Sequence, residues 1–440
     1  MIDYDIVVIG SGPAGIMAAL EAAKMNKNNK LKVAIIERNS SIGKKFLITG
    51  GGRCNITSTK DISDFYNNIT RNPKFLYSSF AAFNNQDLIS FFNRGAIEFK
   101  IEGEKYYPKN DNSKELLDFL LNEINEAGID LLLGVQLIKI NPVQIDNKEM
   151  YELFLNENNS TLKLSTKKLI LASGGASYKS TGSDGSVFEI IQELGINVVP
   201  LKPTLVRLMS NQSAITQSQG ISLTDVKFTT FFNNKKISEL NDGVVFTHNG
   251  ISGPGAINSS SFITDKPLAD IKVFIDFLPH LSREELMIIV KSNDKQKLIT
   301  RISKFLPKEM VKNILHYEVL NKKSFEKFKE SELFPDSEIL NMKKNQINDI
   351  IDGFKNFELR LTGYGGLNES IVTRGGIDIK EINSKTLNLK KYPGIYAAGE
   401  MIDVDAFTGG YNLQIAFSTG HLCGKSARAS LKNQGENENG

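Results

Sequence analysis

The stretch that decides the fold is Tyr4-Asp5-Ile6-Val7-Val8-Ile9-Gly10-Ser11-Gly12-Pro13-Ala14-Gly15, followed by the Ala-rich run Ile16 to Lys24. An apolar strand runs straight into a G-x-G-x-x-G turn and then into a helix. A second apolar run, Leu31 to Ile36, ends in Glu37, 22 residues after Gly15. This is the order and length of a dinucleotide-binding βαβ unit. Each position has a physical reason. Gly10 permits a tight turn off the strand, Gly12 lets backbone approach a pyrophosphate, and Gly15 lets helix and strand pack closely. The free N–H groups and positive dipole end of the helix starting near Ala14 face the phosphates. A carboxylate at Glu37 can accept hydrogen bonds from both ribose hydroxyls and disfavours a 2′-phosphate.

Outward from this unit, residues 1–195 keep an α/β grammar. Helical patterns cover Asn85 to Arg94 and Ser113 to Ala127, and Leu131 to Leu137 reads as a strand. Tyr151 to Leu155 and Leu162 to Leu164 read as a hairpin. Lys167 to Leu171 is a buried strand ending in Ala172-Ser173-Gly174-Gly175, and Ser186 to Leu194 a helix. Near Pro200 the character changes to β-branched and aromatic runs (Leu205 to Leu208, Val226 to Phe232, Gly243 to Thr247, Ile271 to Phe277), which suggests a small antiparallel barrel or sandwich. Residues 281–360 turn helical and charged, with a capping box at Ser282-Arg283-Glu284-Glu285 and a helix opening after Leu306-Pro307. The charged run Lys322 to Glu332 reads as a solvated helix face. Thr373-Arg374-Gly375-Gly376-Ile377 reads as a turn, Pro393 to Glu400 as a strand ending in Gly plus acid, and Gly409-Gly410-Tyr411-Asn412-Leu413-Gln414 as the start of a last helix. The expected architecture is α/β: a discontinuous Rossmann-like domain (1–195 and 366–430), an inserted β-rich, barrel-like domain (196–280 and 361–365), a helical lid-like segment (281–360), and a disordered polar tail (431–440).

Composition bounds the function. The 440 residues are 40% hydrophobic and 23% charged, with a formal net charge of +3, ordinary globular values that do not argue for nucleic acid. Two cysteines, Cys54 and Cys423, build neither a C-x-x-C nor a disulfide framework, and four scattered histidines build no metal cluster. The strand at the N-terminus predicts no signal peptide, and no apolar run approaches the ~20 residues of a membrane span. A cytoplasmic protein without metal or membrane partner is expected. Nothing in the sequence indicates an oligomeric state.

Glycine-rich, ligand-type turns at both ends of the chain fit a long cofactor, FAD, better than a nicotinamide held by one Rossmann unit. The motifs that carry this are G-S-G-P-A-G (10–15), G-K-K-F-L-I-T-G-G-G-R-C-N-I-T (43–57), A-S-G-G-A-S-Y-K-S-T-G-S-D-G (172–185), F-T-H-N-G-I-S-G-P (246–254), T-R-G-G-I (373–377) and A-G-E-M-I-D-V-D-A-F-T-G-G-Y-N-L-Q (398–414). On them the chain closely resembles the YhiN/BaiN-like, or aminoacetone-oxidase-like, family of FAD-dependent flavoproteins, within the two-dinucleotide-binding-domain superfamily. The resemblance runs from Asp5 to Gly424. It implies that Gly10, Gly12, Pro13, Ala14 and Gly15 hold the pyrophosphate and Glu37, with Arg38 beside it, the adenosine ribose. It implies that Lys44, Lys45 and the loop with Gly52, Arg53, Cys54 and Asn55 line the pyrophosphate and flavin, and that Leu137 meets adenine through its backbone. Ala172, Ser173 and Gly174 would close over the adenosine half, Glu400 or Asp403, after Gly399, would bond the ribityl chain, and Gly409, Gly410, Tyr411, Asn412 and Leu413 would bring N–H groups to the N1–C2=O edge of the ring.

Several residues carry two readings. Cys54 is a redox thiol or, preferred, a packing residue of the flavin-wrapping loop. Cys423 reads as core. His248, between a strand end and a Gly-rich turn, is a proton shuttle beside hydride transfer or a locally bonded turn residue. His280, His316 and His421 read as structural or exposed. Tyr411 caps the ring or packs in the core. Arg207 and Arg374 could receive an anion, with surface solvation the safer reading. The expected function is FAD-dependent hydride transfer with a small-molecule substrate, NAD(P)H serving as a transient donor. An O2-using oxidase of an amino-ketone, a flavin-dependent RNA-modifying protein and a non-catalytic flavin sensor are the alternatives.

Overall fold

A computed structural model describes residues 2–24, 31–145, 148–292, 296–328 and 342–436. The chain divides into two compact units, Met1–Pro203 with Leu367–Gly440, and Thr204–Gly366. The first division falls later than the sequence pattern placed it. Asn197 still accepts from Asp378 N–H, and the carbonyl of Pro200 lies 2.5 Å from where a Cβ on Gly375 would stand, so this strand runs beside the C-terminal part of the first unit.

The first unit is built on a seven-stranded sheet. Its parallel part runs Asp130–Leu133, Val33–Glu37, Ile2–Ile9, Ser160–Leu171, Ile395–Ala397. The strand Ser160–Leu171 has two characters. Its first half pairs antiparallel with Lys148–Glu157 and is partly exposed, whereas its second half lies between parallel neighbours and is buried residue after residue from Leu169 to Leu171. Continuous apolar sequence is what a strand covered on both faces requires. The helix Pro13–Ala23 crosses from the first strand to the second, and Ala14 to Ala23 are all buried, because the last helix, Tyr411–Glu436, packs along it. The helix Ser113–Ala127 has the predicted bounds, opened by Asn112 accepting from Lys114 N–H and closed by Gly128 in the left-handed region.

Three local expectations are corrected. Thr373 to Ile377 is a buried strand (Val372–Ile377), and its two glycines, at φ 94° and 130°, serve close backbone approach instead of a turn. The strand expected over Leu131 to Leu137 breaks at Gly134, φ 73°, into two that join different neighbours. The tail expected to be disordered from residue 431 continues the last helix to Glu436; its final residues, and most of the charged run after Phe328, lie outside the described residues.

The second unit holds a seven-stranded antiparallel sheet in the order Phe357–Leu359, Ile271–Asp276, Ser222–Phe232, Lys235–Thr247, Gly250–Ser252, Leu208–Met209, Gly363–Tyr364. Among the described residues this is an open path, not a closed barrel. Nor is the helical segment a detached lid. Leu286 and Val290 of the capped helix Arg283–Lys291, Met310 and Val311 of Lys308–Ile314, and Ile350 and Phe354 of Lys344–Lys355 share one buried cluster with Val226, Phe228, Val273 and Phe357 of the sheet. The capping box forms as expected, Ser282 Oγ accepting from Glu285 N–H at 3.1 Å and Glu285 Oε2 from Ser282 N–H at 2.8 Å.

Candidate functional site

The glycine turn of the first unit is set by contact. A Cβ on Gly10, φ 101°, would lie 2.5 Å from the Ala172 carbonyl oxygen, and one on Gly15 would lie 1.9 Å from the Gly10 carbonyl oxygen. Gly12 differs, since a Cβ there would meet nothing within 4 Å. Two glycines therefore close the turn on itself, and the third leaves an open backbone face at a helix start that no side chain caps. That is the cradle a pyrophosphate requires.

Glu37 stands beside it, 8% exposed. Its carboxylate accepts four hydrogen bonds: Oε2 from Ser11 N–H (3.0 Å) and Ser11 Oγ (2.6 Å), Oε1 from Asn39 N–H (2.8 Å) and Asn39 Nδ2 (2.7 Å). Asn39 Nδ2 also donates to Thr181 O, and its Oδ1 accepts from Lys44 Nζ. This clamp ties the acid to the turn, and the sequence pattern did not reveal Asn39. Arg38 pairs with Asp184 at 2.5 Å. Leu137 is buried opposite Leu155, and the register slips immediately after it, leaving Ile138 exposed, so a β-bulge interrupts the ladder where adenine is expected.

The ends of the chain converge on the same unit. Gly174, Ser183 and Glu400 are neighbours, with Glu400 Oε2 3.8 Å from a Cβ position on Gly174. Glu400 accepts from Lys45 Nζ (2.8 Å) and from Thr373 N–H (3.1 Å), and Lys45 also donates to Ser177 (2.7 Å). Of the two acids expected at a ribityl chain, Asp403 is only 2% exposed and is held by Arg71 Nε and Asn72 Nδ2, whereas the Glu400 side chain keeps 21% of its surface open. Ser173 Oγ lies 2.9 Å from Met401 Sδ, and Gly399 packs against Ala14.

A second cluster joins the 50–57 loop to the last helix. Gly50, Gly51, Gly52 and Cys54 all have positive φ, a run of left-handed backbone that folds the loop back sharply. Asn55, with its amide oriented to satisfy both neighbours, accepts from Gly410 N–H and donates to Thr57 O, each at 3.1 Å. A Cβ on Gly410 would lie 2.5 Å from Thr57 Cα, which explains glycine there. Asn412 bonds both backbone groups of Ala406 and the carbonyl of Phe407, fixing the turn that precedes the helix. Leu413 is half-buried in the first turn.

Other expected site residues face elsewhere. The Arg53 guanidinium pairs with Glu102 (2.5 Å) and Asp111 (2.7 Å) over the Tyr107 ring, bonds that push its pKa above the ordinary arginine value. Cys54 is fully buried and burial pushes its thiol up to about 12, so it is no thiolate at neutral pH. Tyr411 is 5% exposed and packs edge-on against Phe65 at 5.0 Å, which places its ring in the core. Cys423 is buried and donates to Ala397 O. Arg374, read as a surface residue, is instead 5% exposed and grips Asp405 in a two-pronged pair, Nε to Oδ2 at 2.9 Å and Nη2 to Oδ1 at 2.7 Å.

In the second unit, His248 and Asn249 are the two residues of the hairpin turn between Thr247 and its paired Gly250. His248 is exposed and lines a cavity of about 560 Å³ with Met209, Ser210, Gln217, Asn249 and Thr362. Among the described residues no group of three His, Cys, Asp or Glu could hold a metal ion, and no helix is long and apolar enough to cross a membrane.

A glycine cradle beside a ribose-type acid, in a unit completed by a glycine-led C-terminal helix, defines an FAD-dependent oxidoreductase with a Rossmann-like FAD-binding fold. The chain belongs to the HI0933-like family, whose Rossmann-domain model matches residues 4–426. It is 30% identical to a ribosomal RNA dihydrouridine synthase of Haemophilus influenzae, over 96% of this chain and 97% of the relative. It is 29% identical to a 3-dehydro-bile acid delta(4,6)-reductase of Clostridium scindens, over 96% and 98%. Among solved structures, the 3-ketosteroid-delta4-(5alpha)-dehydrogenase of Rhodococcus jostii shares the fold, with a TM-score of 0.52 at 14% identity over 97% of both chains.

Proposed function

We propose that the protein is an FAD-dependent reductase of carbon–carbon double bonds conjugated to a carbonyl, drawing electrons from NADH or NADPH. The observation that carries this is the pair of nearly full-length relatives: reduction of a 3-oxo steroid at its Δ4,6 bonds and conversion of uridine to dihydrouridine both add two hydrogens across such a bond. The chemistry FAD supplies is hydride transfer, from NAD(P)H to the β-carbon of the substrate. The chain supplies the rest. Gly10 to Gly15 receive the pyrophosphate, and Glu37 exchanges the Ser11 Oγ and Asn39 Nδ2 donors for the ribose hydroxyls. Lys45 and Glu400 meet the ribityl side, and the N–H groups of Gly410 to Leu413, at a helix start, favour negative charge at the N1–C2=O edge. His248 gives a proton to the substrate α-carbon and recovers it from solvent.

Glu37→Ala is expected to lower FAD retention by ten-fold or more while the fold survives, read as the flavin-to-protein ratio after gel filtration; unchanged retention removes the ribose role. The function is tested by anaerobic reduction with NADH and NADPH, followed by an enone, 2-cyclohexen-1-one, or O2. Rapid reoxidation by the enone supports the reductase, and reoxidation by O2 alone makes the protein an oxidase. His248→Gln should slow reoxidation by the enone about 100-fold or more with FAD still bound; a wild-type rate returns His248 to the turn. The Haemophilus influenzae relative favours a second reading, with a uracil base of RNA as the substrate, and formation of dihydrouridine in ribosomal RNA incubated with the reduced enzyme would establish it.

A further inference from the structure

The cavity beside His248 contains one amide whose orientation is imposed from outside. Arg207 Nη1 donates to Asn249 Oδ1 at 2.7 Å, and the Thr247 hydroxyl lies 3.3 Å from the same oxygen. A guanidinium has only donors, so this bond fixes which end of the amide is oxygen. The Asn249 backbone is held as well, its carbonyl accepting from Ser210 N–H at 3.1 Å, and Gly250 next to it is pressed against the Leu208 carbonyl. Asn249 is therefore held, it lines the cavity, and its Nδ2 donates to no acceptor among the described residues. The rest of that wall is uncharged: Ser210, Asn211, Gln217, Gln219 and Thr362 offer hydroxyls and amides, and His248 the titratable group. No lysine or arginine lines it, and the Arg207 guanidinium behind the wall is engaged by Asn249 Oδ1.

We propose that this cavity is a recognition site for a neutral, carbonyl-bearing ligand, in which Asn249 Nδ2 donates to the carbonyl oxygen and Arg207 acts as the positioning residue for that amide. The inference deepens the reductase reading and rests on it for its catalytic consequence. A hydrogen bond to the carbonyl draws electron density from the conjugated double bond and stabilises the enolate oxygen that forms when hydride reaches the β-carbon. The α-carbon is then protonated to give the saturated ketone. A donor held before the reaction begins costs no reorganisation during it.

The test uses full-length holoenzyme and 2-cyclohexen-1-one with an isotope-labelled carbonyl carbon. With oxidised protein, the carbonyl resonance should move downfield on binding, and Asn249→Asp, which keeps the shape and removes the donor, should abolish that shift at unchanged melting temperature. With reduced protein, the same substitution should slow flavin reoxidation by the enone about 100-fold and leave reduction by NAD(P)H unaltered. Arg207→Ala should slow reoxidation about ten-fold, within the ordinary size of one lost hydrogen bond to a charged group, and Arg207→Lys should restore part of it. An absent shift in the wild type, or an equal shift or rate in Asn249→Asp, overturns the site. A shift that depends on Asn249 without any reoxidation by enone leaves the site standing and overturns the reductase reading instead.

Discussion

Gly420→Val and Gly424→Val are each expected to lower the melting temperature and the flavin content together. A Cβ at either position would lie 2.2 Å from a backbone oxygen of the helix Pro13–Ala23, that of Ala14 for Gly420 and that of Ala18 for Gly424. Four residues apart, the two glycines share one face of the last helix. Neither obstruction is the end of a flexible side chain, so relief requires the helices to separate along their whole contact. Overpacking of this kind costs about 1–3 kcal/mol and occasionally more, against the roughly 5–15 kcal/mol that holds a domain folded. The damage does not stop at stability. The displaced helix begins at Pro13, and its first turn is the backbone we propose for the pyrophosphate, so flavin content should fall together with the melting temperature. Lys425→Val, at an exposed position of the same helix, is the control and should stay near wild type. A Gly424→Val variant with normal melting and full flavin content would refute the close packing.

Arg374→Met is expected to destabilise the protein by about 3–5 kcal/mol, read by denaturant unfolding with flavin content as a second measure. The partner, Asp405, is 0% exposed, and losing the guanidinium leaves a carboxylate with no water and with Thr70 as a remaining donor. The pair itself is not worth that much. Desolvation of both ions offsets most of their attraction, and the large loss comes from stranding one of them. It follows that Arg374→Met combined with Asp405→Leu should recover most of the stability lost by the single change. A single variant within about 0.5 kcal/mol of wild type, the range of ordinary surface changes, would put Arg374 back on the surface.

Features governed by neighbours in sequence were legible. The roles of Gly10 and Gly15 follow from backbone crowding inside one turn, and both glycines sit where a side chain would strike carbonyl oxygen. The capping box at Ser282 and the helix Ser113–Ala127 follow from hydrogen bonds that reach two or three residues. Where local cues mislead, the cause is equally physical. Gly375 and Gly376 look like a turn because turns favour glycine, but here they admit the backbone of Pro200 and Met401. Arg374 looks like surface because arginine normally is, and its burial depends on Asp405, 31 residues away, and Thr70, 304 away. Whether antiparallel strands close into a barrel depends on pairing between first and last strands, which no local pattern encodes.

By itself, the sequence determined the glycine turn and the starts of the helices Ser113–Ala127 and Arg283–Lys291, because steric and hydrogen-bonding rules over a few residues suffice for each. Only the tertiary structure decided that Asn39 clamps Glu37, that Asp403 and Asp405 are buried against arginines while Glu400, paired with Lys45, keeps part of its side chain exposed, and that Arg207 sets the Asn249 amide. The arginine pairings join residues tens to hundreds of positions apart, and Asn39, two positions from Glu37, is oriented by Thr181, 142 positions away, so each exists only once the fold has brought the partners together.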